Sequence, residues 1–210
     1  EQFDAALKMT LKTIEFAKER EAIPFAVFKP TGFGSLDLYT KVGAKTPLTD
    51  AEKEEWNKVK VRFEKVCKTA YDKDVALLID AEESWMQDAA DDLVEEMMRR
   101  YNTEKPIVFN TLQMNRWDRL DYLKRLHEKA KEEGFFIGMK LVRGAYMEKE
   151  RKRAAELGYV DPIQSTKENT DRDFNLAVDY CLDHIEDIAI CCGSHNEESS
   201  AMLVEKMNAR

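Results

Sequence analysis

The stretch FIGMKLVRGAY, residues Phe136–Tyr146, combines an apolar run of strand type with charged residues at its end. Lys140 and Arg143 stand in the last part of this stretch, and Gly144 follows them directly. Cationic side chains are rarely buried without a partner, and glycine lets the backbone approach another group closely. The pattern predicts a strand end that holds an anionic or electron-rich ligand. A strand that leaves the core with its charges in solvent fits this stretch equally well.

Short apolar runs of strand length alternate with amphipathic helices along the rest of the chain. Besides the opening stretch, strands are predicted at Phe25–Phe28, Val75–Ile79, Ile107–Thr111 and Ile188–Cys192. Helices are predicted over residues 3–20, 85–100, 116–133, 148–157, 166–185 and 197–208, and a capping box at Thr49–Glu52 opens another that runs through Ala70. Strands that are apolar throughout are typical of parallel sheets with both faces buried. The order predicts an α/β protein with five consecutive strand–helix units.

Composition and charge limit the classes of function. The chain has 210 residues, of which 43% are hydrophobic, so it can bury a core, and we expect one domain over residues 1–210. The net charge is −8 with acids and bases mixed along the chain, which argues against a nucleic-acid partner. No apolar stretch reaches the length of a membrane span. The spacing of the four cysteines and three histidines fits neither a disulfide framework nor a zinc site, so no metal site is predicted.

Polar residues follow the carboxyl ends of all five predicted strands. They are Lys29; Asp80 with Glu82 and Glu83; Gln113; Lys140 with Arg143; and Ser194-His195-Asn196. Ligands bind at this edge in (β/α)₈ barrels and in open α/β sheets, so five agreeing strand ends predict a shared binding site. An open sheet typically carries a glycine-rich phosphate loop after its first strand. The chain contains neither GxGxxG nor GxxxxGK[ST], which favours a barrel.

The residue types at these strand ends fit a flavin and a small amino acid. Two cations stabilise the anion that forms when a planar electron acceptor is reduced, and Gln113 can hydrogen-bond to ring carbonyl or imide groups. Backbone N–H groups around Gly144 can hold a pyrophosphate, and Lys29 can pair with a carboxylate. Structural alternatives remain open: Asp80 can cap the next helix, Lys29 can face solvent, Gln113 can be a loop residue, and His195 can be a satisfied strand-end histidine.

Five motifs taken in order resemble the proline dehydrogenase family. They are VFKPTG around Lys29, LIDAEE from Leu78, NTLQ from Asn110, KLVRGAY from Lys140 and SHNE from Ser194. IDAEE together with KLVRGAY is the most specific part, and the resemblance covers essentially the whole chain. It implies a distorted (β/α)₈ TIM-like barrel that binds FAD non-covalently, of which this chain covers about five of the eight units. It also implies the oxidation of L-proline to Δ1-pyrroline-5-carboxylate, by hydride transfer from proline C5 to flavin N5.

The resemblance assigns roles to individual residues. Lys29 resembles the lysine that binds the proline carboxylate, and Asp80 resembles the active-site aspartate of the substrate pocket. Asp80 and Lys140 are the implied catalytic residues, since Lys140 occupies the position of a cation near flavin N5. Cofactor contacts are implied for Ala81, Gln113, Lys140, Val142, Arg143, Gly144, Ser194 and His195, with Tyr146 and Asn196 behind them.

The resemblance also implies partners and a cellular location. A membrane quinone would reoxidise the flavin, which is compatible with peripheral association with a membrane. The implied location is the cytoplasm or the surface of the inner membrane in a bacterium, and the mitochondrion in a eukaryote. The family's first strand, last two strands and closing helix with paired arginines have no counterpart here. We therefore expect the 210-residue segment alone to bind FAD poorly and to turn over little proline.

Two other functions remain open on the sequence. In the first, Lys29 or Lys140 forms a Schiff base in an aldolase-type barrel enzyme. In the second, the chain is a non-catalytic barrel fragment that acts as a scaffold. Borohydride trapping with a carbonyl substrate identifies a Schiff-base lysine, whereas a flavin spectrum that bleaches with L-proline excludes both alternatives.

Overall fold

The computed structural model describes residues 1–18 and 20–209. The helices formed by these residues are α1 (Gln2–Lys18), α2 (Leu36–Gly43), α3 (Asp50–Lys73), α4 (Ser84–Tyr101), α5 (Arg119–Glu133), α6 (Met147–Leu157), α7 (Lys167–Asp183) and α8 (Glu197–Asn208). The strands are β1 (Phe25–Phe28), β2 (Ala76–Ile79), β3 (Val108–Gln113), β4 (Ile137–Val142) and β5 (Ile188–Gly193). The predicted alternation of strands and helices is confirmed. The helix predicted over residues 3–20 includes Glu19, which lies outside the described residues.

The strands form a parallel sheet in the order β1-β2-β3-β4-β5. The register pairs Phe28 with Ile79 between β1 and β2, and Lys140 with Cys191 between β4 and β5. The chain divides into two compact units, Glu1–Asn110 and Thr111–Arg210. Strand β3 begins in the first unit and ends in the second. Because parallel strands end at the same edge of a sheet, side chains that follow neighbouring strands stand next to one another.

An aromatic cluster anchors the first unit at the end of β1. The rings of Phe28 and Phe33 stack with their centroids 4.5 Å apart. Phe63 of α3 packs edge-on against both, at 5.2 Å from Phe28 and 5.8 Å from Phe33. Such pairs each contribute about 0.5–1.5 kcal/mol beyond the burial of their area. Since Phe28 precedes Lys29 and Phe33 follows a 3₁₀ turn at Pro30–Gly32, the cluster fixes both ends of the segment that carries Lys29.

The second unit packs α7 against β4 and β5. Buried apolar residues of α7 recur at helical spacing, with Phe174, Ala177, Val178 and Cys181 facing inward. Ile137, Met139 and Leu141 of β4 are buried as well. The buried sheet face therefore holds β4 rigidly up to its carboxyl end, where the predicted ligand residues begin.

The predicted capping box opens α3. Thr49 Oγ accepts a hydrogen bond from the N–H of Glu52, and the Glu52 carboxylate accepts one from the N–H of Thr49. Lys41 also pairs with Glu52. The hydrogen bond from Lys41, followed by that from the Thr49 backbone, lowers the pKa of Glu52 to about 2. The sequence motif thus marks the true start of the helix.

Helix α5 begins later than the predicted start at Arg116. The N–H of Arg116 donates to the carbonyl of Gln113 at 3.1 Å, and the N–H of Trp117 donates to the carbonyl of Pro162 at 3.2 Å. These hydrogen bonds commit the two N–H groups to a turn and to a distant loop. Asp118 consequently becomes the N-cap residue of α5.

We predict that Asp118→Asn destabilises the fold by about 2 kcal/mol at neutral pH. The carboxylate accepts hydrogen bonds from the buried guanidinium groups of Arg116 and Arg119, each at 2.7 Å. Burial alone would raise the pKa of Asp118, but Arg119 and Arg116 outweigh it and lower the pKa to about 2. A lowered carboxyl pKa stabilises the fold above the unfolded pKa of about 3.9, and this contribution disappears as the pH falls toward 2.

Urea unfolding of both proteins between pH 7 and pH 2 measures this effect. The difference in unfolding free energy should shrink progressively below about pH 4. The exposed carboxylate of Asp50 provides a control, and Asp50→Asn should have no comparable effect. A constant difference across this pH range would show that the two arginines do not stabilise the Asp118 carboxylate.

Candidate functional site

The predicted site residues fall into two clusters, one in each compact unit. The Lys29 cluster belongs to the first unit and comprises Lys29, Thr31, Asp80, Ala81 and Glu82. The β4 cluster belongs to the second unit and comprises Gln113, Asn115, Lys140, Val142, Arg143, Gly144, Ser194 and His195. Thr31 and Asn115 were not among the predicted site residues.

The parallel register of β1 and β2 brings Lys29 next to Asp80. Phe28 pairs with Ile79, and the N–H of Asp80 donates to the carbonyl of Phe28 at 3.0 Å. Beyond this point, Lys29 Nζ lies 3.6 Å from Asp80 Oδ2. The two side chains are 53% and 23% exposed, so the ion pair contributes at most about 1 kcal/mol to stability. An ion pair of little structural value at a strand end is available to a charged ligand.

The structure decides between the alternative readings of these two residues. The N-cap of α4 is Glu83, so Asp80 does not cap that helix. Lys29 is partly exposed, as the solvent-facing alternative requires, but it also pairs with Asp80. Ala81, which follows Asp80, is buried.

A second pair follows two residues further along the same segments. The N–H and the hydroxyl of Thr31 donate to the two carboxylate oxygens of Glu82, at 2.9 Å and 2.7 Å. Glu82 is only 5% exposed. Burying a carboxylate without partners costs free energy, and the two hydrogen bonds from Thr31 offset this cost. The sequence signal for this contact is weak, because Thr31 lies in an ordinary Pro-Thr-Gly turn.

In the second unit, Asn115 holds the loop that follows β4. Its N–H donates to the carbonyl of Arg143 at 2.6 Å, and its side-chain amide donates to the carbonyl of Ala145 at 3.3 Å. Gly144 lies between these two residues with a φ of 118°. A Cβ placed on Gly144 would lie 2.3 Å from Asn115 Oδ1, so only glycine fits. The absence of a Cβ at Gly144 therefore lets the Asn115 side chain pack directly against this loop.

Gln113 supports the same loop from the end of β3. The side chain is buried, and its Oε1 accepts a hydrogen bond from the N–H of Ala145 at 2.8 Å. Gln113 is the last residue of β3 rather than a loop residue. The glutamine thereby fixes the position of the loop that carries Gly144.

The guanidinium group of Arg143 makes three hydrogen bonds within the protein. Its Nε donates to Asp171 Oδ1 at 2.5 Å, its Nη1 to Ser194 Oγ at 2.8 Å and its Nη2 to Ser199 Oγ at 2.9 Å. It also lies 4.4 Å from the ring centroid of Phe174. Arg143 therefore connects the loop after β4 to the end of β5 and to helices α7 and α8. Its implied contact with a cofactor stays a prediction.

Two partners of Arg143, the acidic Asp171 and the polar Ser199, were not predicted from the sequence. Lys167, followed by Arg143, lowers the pKa of Asp171, which keeps this partner ionised. Ser199 lies in the first turn of α8, where its N–H is capped by the side chain of Asn196 at 2.9 Å. Both partners are separated from Arg143 by a strand or a helix, so no local pattern reveals them.

Lys140, Ser194 and His195 complete the β4 cluster. Lys140 is partly exposed and stands opposite Cys191 in the register of β4 and β5. Partial burial raises the pKa of Cys191, and the positive charge of Lys140 opposes this shift. Ser194 Oγ accepts a hydrogen bond from the N–H of Asn196 at 3.0 Å, while His195 is exposed.

The residues of the β4 cluster fit a flavin dinucleotide. The backbone at Gly144 is exposed, and the hydrogen bonds from Asn115 hold it in place. Lys140 supplies a partly exposed cation, and Ser194 supplies a hydroxyl group. Phosphate oxygens and an electron-accepting ring both favour such donors and cations.

Similarity to known proteins shows which protein family this chain belongs to. A profile of the family described as "Proline dehydrogenase" matches residues 1–210. The chain belongs to the proline dehydrogenase family. It is 34% identical over 209 residues to the carbapenem antibiotics biosynthesis protein CarD of Pectobacterium carotovorum subsp. carotovorum, covering 100% of this chain and 54% of that protein. It is 38% identical over 163 residues to human proline dehydrogenase 1, mitochondrial, covering 76% of this chain and 27% of that protein.

Solved structures of larger proline dehydrogenase family proteins share the fold. Proline utilization A (PutA) from Bdellovibrio bacteriovorus, inactivated by N-propargylglycine, superposes with a TM-score of 0.82 at 20% identity, over 99% of this chain and 23% of that chain. A PutA with proline bound in remote sites gives a TM-score of 0.85 at 16% identity, over 100% and 21% of the two chains. The predicted fold class, a distorted TIM-like barrel represented by five units, is confirmed. The chain spans about half or less of the length of these relatives.

Among the described residues, no helix is both long and apolar enough to cross a membrane.

We predict that Gly144→Ala disrupts the loop after β4. Alanine at a φ of 118° is strained, and its Cβ would also collide with the buried side chain of Asn115. Gly158→Ala is the matched control, because Gly158 has a φ of 71° and no atom within 4 Å of an added Cβ. Relative to this control, Gly144→Ala should lower the free energy of unfolding, measured in urea, by a further ~1–3 kcal/mol.

Hydrogen exchange locates the effect of the substitution. The amide proton of Ala145, which donates to Gln113, should exchange faster in Gly144→Ala than in the control. Equal unfolding free energies and equal exchange rates in the two variants would contradict the proposed close packing of Gly144 on Asn115.

Proposed function

We propose that this protein oxidises L-proline to Δ1-pyrroline-5-carboxylate with FAD as its cofactor. We also propose that residues 1–210 are part of one catalytic barrel domain. The observation that carries the proposal is the Lys29–Asp80 pair at the carboxyl ends of β1 and β2, in a chain of the proline dehydrogenase family. Ligands of barrel enzymes bind at that edge, and a paired cation and carboxylate match the two charges of an amino acid.

In this proposal Lys29 and Asp80 of the Lys29 cluster bind the substrate. The half-exposed ammonium group of Lys29 pairs with the carboxylate of L-proline. Asp80 lies against Lys29 and organises the pocket, where it can also attract the positively charged ring nitrogen of the substrate. Held at both ends, the substrate presents its C5 carbon in one orientation, which lowers the entropic cost of the reaction.

The β4 cluster is proposed to bind the cofactor. Bound there, FAD would supply a hydride acceptor, its N5, for the hydride that leaves proline C5. Lys140 stabilises the negative charge that develops on the ring, because a fixed cation is most effective where charge appears in the transition state. The remaining proposed cofactor contacts are Ala81, Gln113, Val142, Arg143, Gly144, Ser194 and His195.

The electrons are proposed to pass to a membrane quinone. This acceptor would place the protein at a membrane surface for part of its cycle, as a peripheral protein. The proposed location is the cytoplasm or the inner-membrane surface in a bacterium and the mitochondrion in a eukaryote. Relatives named as mitochondrial, such as human proline dehydrogenase 1, support the second case.

A flavin absorption spectrum tests the proposed function. We predict that the intact catalytic barrel, of which residues 1–210 are proposed to be part, shows a flavin spectrum with FAD that bleaches when L-proline is added without an electron acceptor. Lys140→Ala should slow this bleaching by about 10² or more, because it removes a cation from the developing charge, while unfolding changes little. Lys149→Ala, at an exposed position in α6, is the matched control and should bleach at the wild-type rate.

A protein that binds FAD but keeps its absorption in the presence of L-proline would contradict the proposed substrate. An unchanged rate in Lys140→Ala would contradict the role of Lys140. Borohydride reduction in the presence of a carbonyl substrate tests the aldolase-type alternative. Covalent labelling of Lys29 or Lys140 would support that alternative instead.

A further inference from the structure

We propose that Glu82 and Thr31 are positioning residues, which aim Lys29 at the carboxylate of the substrate. This inference rests on the proposed function, since it assigns to Lys29 the substrate carboxylate as its ligand. It adds a role for Thr31, which was not predicted from the sequence, and it gives Glu82, a polar residue at a predicted strand end, a specific role. Both residues and all of their contacts named below lie in the first compact unit.

The two pairs follow one another along the same two segments. Lys29 pairs with Asp80, and Thr31 pairs with Glu82, so that both members of the second pair lie two residues beyond the first. Thr31 lies in the 3₁₀ turn Pro30–Gly32, beyond the end of β1. Its hydrogen bonds to Glu82 therefore join the segments that follow β1 and β2 a second time, next in sequence to the Lys29–Asp80 pair.

Several hydrogen bonds fix the turn that follows Lys29. The N–H of Gly32 donates to the carbonyl of Lys29 at 2.9 Å, and the hydroxyl of Tyr39 donates to the carbonyl of Pro30 at 2.8 Å. Thr31 stands between these two points and is held by both oxygens of Glu82. The backbone of the turn thus has an anchor at each residue, whereas the Lys29 side chain is half exposed.

A network of buried hydrogen bonds holds Glu82 itself. The N–H of Glu82 donates to Gln87 Oε1 at 3.0 Å, and Gln87 Nε2 donates to Asp91 Oδ1 at 2.8 Å. Asn110 Nδ2 donates to the same oxygen of Asp91 at 2.9 Å. All four side chains are buried. A buried network with good geometry specifies one arrangement, so Glu82 presents its carboxylate to Thr31 from a fixed position.

The chemistry explains why a carboxylate stands at position 82. Its two oxygens accept from one N–H and one O–H of the same residue, which a glutamine could match with one oxygen only. Hydrogen bonds to a charged group are stronger than hydrogen bonds between neutral groups. Loss of either donor or charge would let the turn shift and misplace the ammonium group of Lys29.

The test compares Glu82→Gln, Thr31→Val and Thr31→Ser in the FAD-loaded protein. We expect Glu82→Gln and Thr31→Val to raise KM for L-proline about tenfold, the equivalent of about 1.4 kcal/mol of lost binding, with kcat within about twofold. Thr31→Ser keeps the hydroxyl group and should recover most of the affinity. Thr40→Val is the matched control, because the Thr40 hydroxyl donates to the carbonyl of Leu36 in its own helix at 2.8 Å.

A second readout does not depend on turnover. NMR signals of the Lys29 ε-carbon should shift in Thr31→Val and return toward the wild-type position in Thr31→Ser. Unchanged Lys29 signals and unchanged KM in Thr31→Val and Glu82→Gln would overturn the proposal. Absence of proline oxidation in the wild type would instead contradict the proposed function, while the Lys29 signals would still decide whether Thr31 and Glu82 position that side chain.

Discussion

The parallel register between β1 and β2 is the constraint on which the Lys29 cluster depends. Phe28 faces Ile79, and the Asp80 N–H bonds to the Phe28 carbonyl, so the next residues must meet. Lys29 therefore reaches Asp80 although the whole connection through α2 and α3 separates them in the sequence. A slip of one residue in either strand would turn its side chain to the opposite face of the sheet and abolish the pair.

The second unit positions its predicted ligand residues in a different way. There the loop after β4, rather than a strand register, carries the predicted ligand residues. Asn115 holds the loop on both sides of Gly144, and Arg143 connects it to Ser194. Rigid support of a loop by buried polar side chains places backbone and cations accurately without burying them. Function at such positions requires exposure, which is why the supporting residues lie behind them.

The sequence predicted the five strands, their order and the polar residues that follow them, because burial on both faces leaves an unbroken apolar run such as β2. The supporting contacts could not be predicted. The Thr31–Glu82 contact joins residues 51 apart, and neither residue breaks a local pattern. The late start of α5 has the same origin, because the N–H of Trp117 bonds to the distant Pro162. Local periodicity records which face is buried, but it does not record which polar groups meet across the fold.

The register of β1 and β2 brings Lys29 and Asp80 together as one substrate-binding pair, and a double-mutant cycle on these two residues tests this claim. The measured quantity is kcat/KM for L-proline in Lys29→Met, Asp80→Asn and the double variant. The account predicts strong non-additivity, with a coupling free energy of about 1 kcal/mol or more. Additive effects, to within about 0.5 kcal/mol, would show that the two side chains act independently and would contradict it.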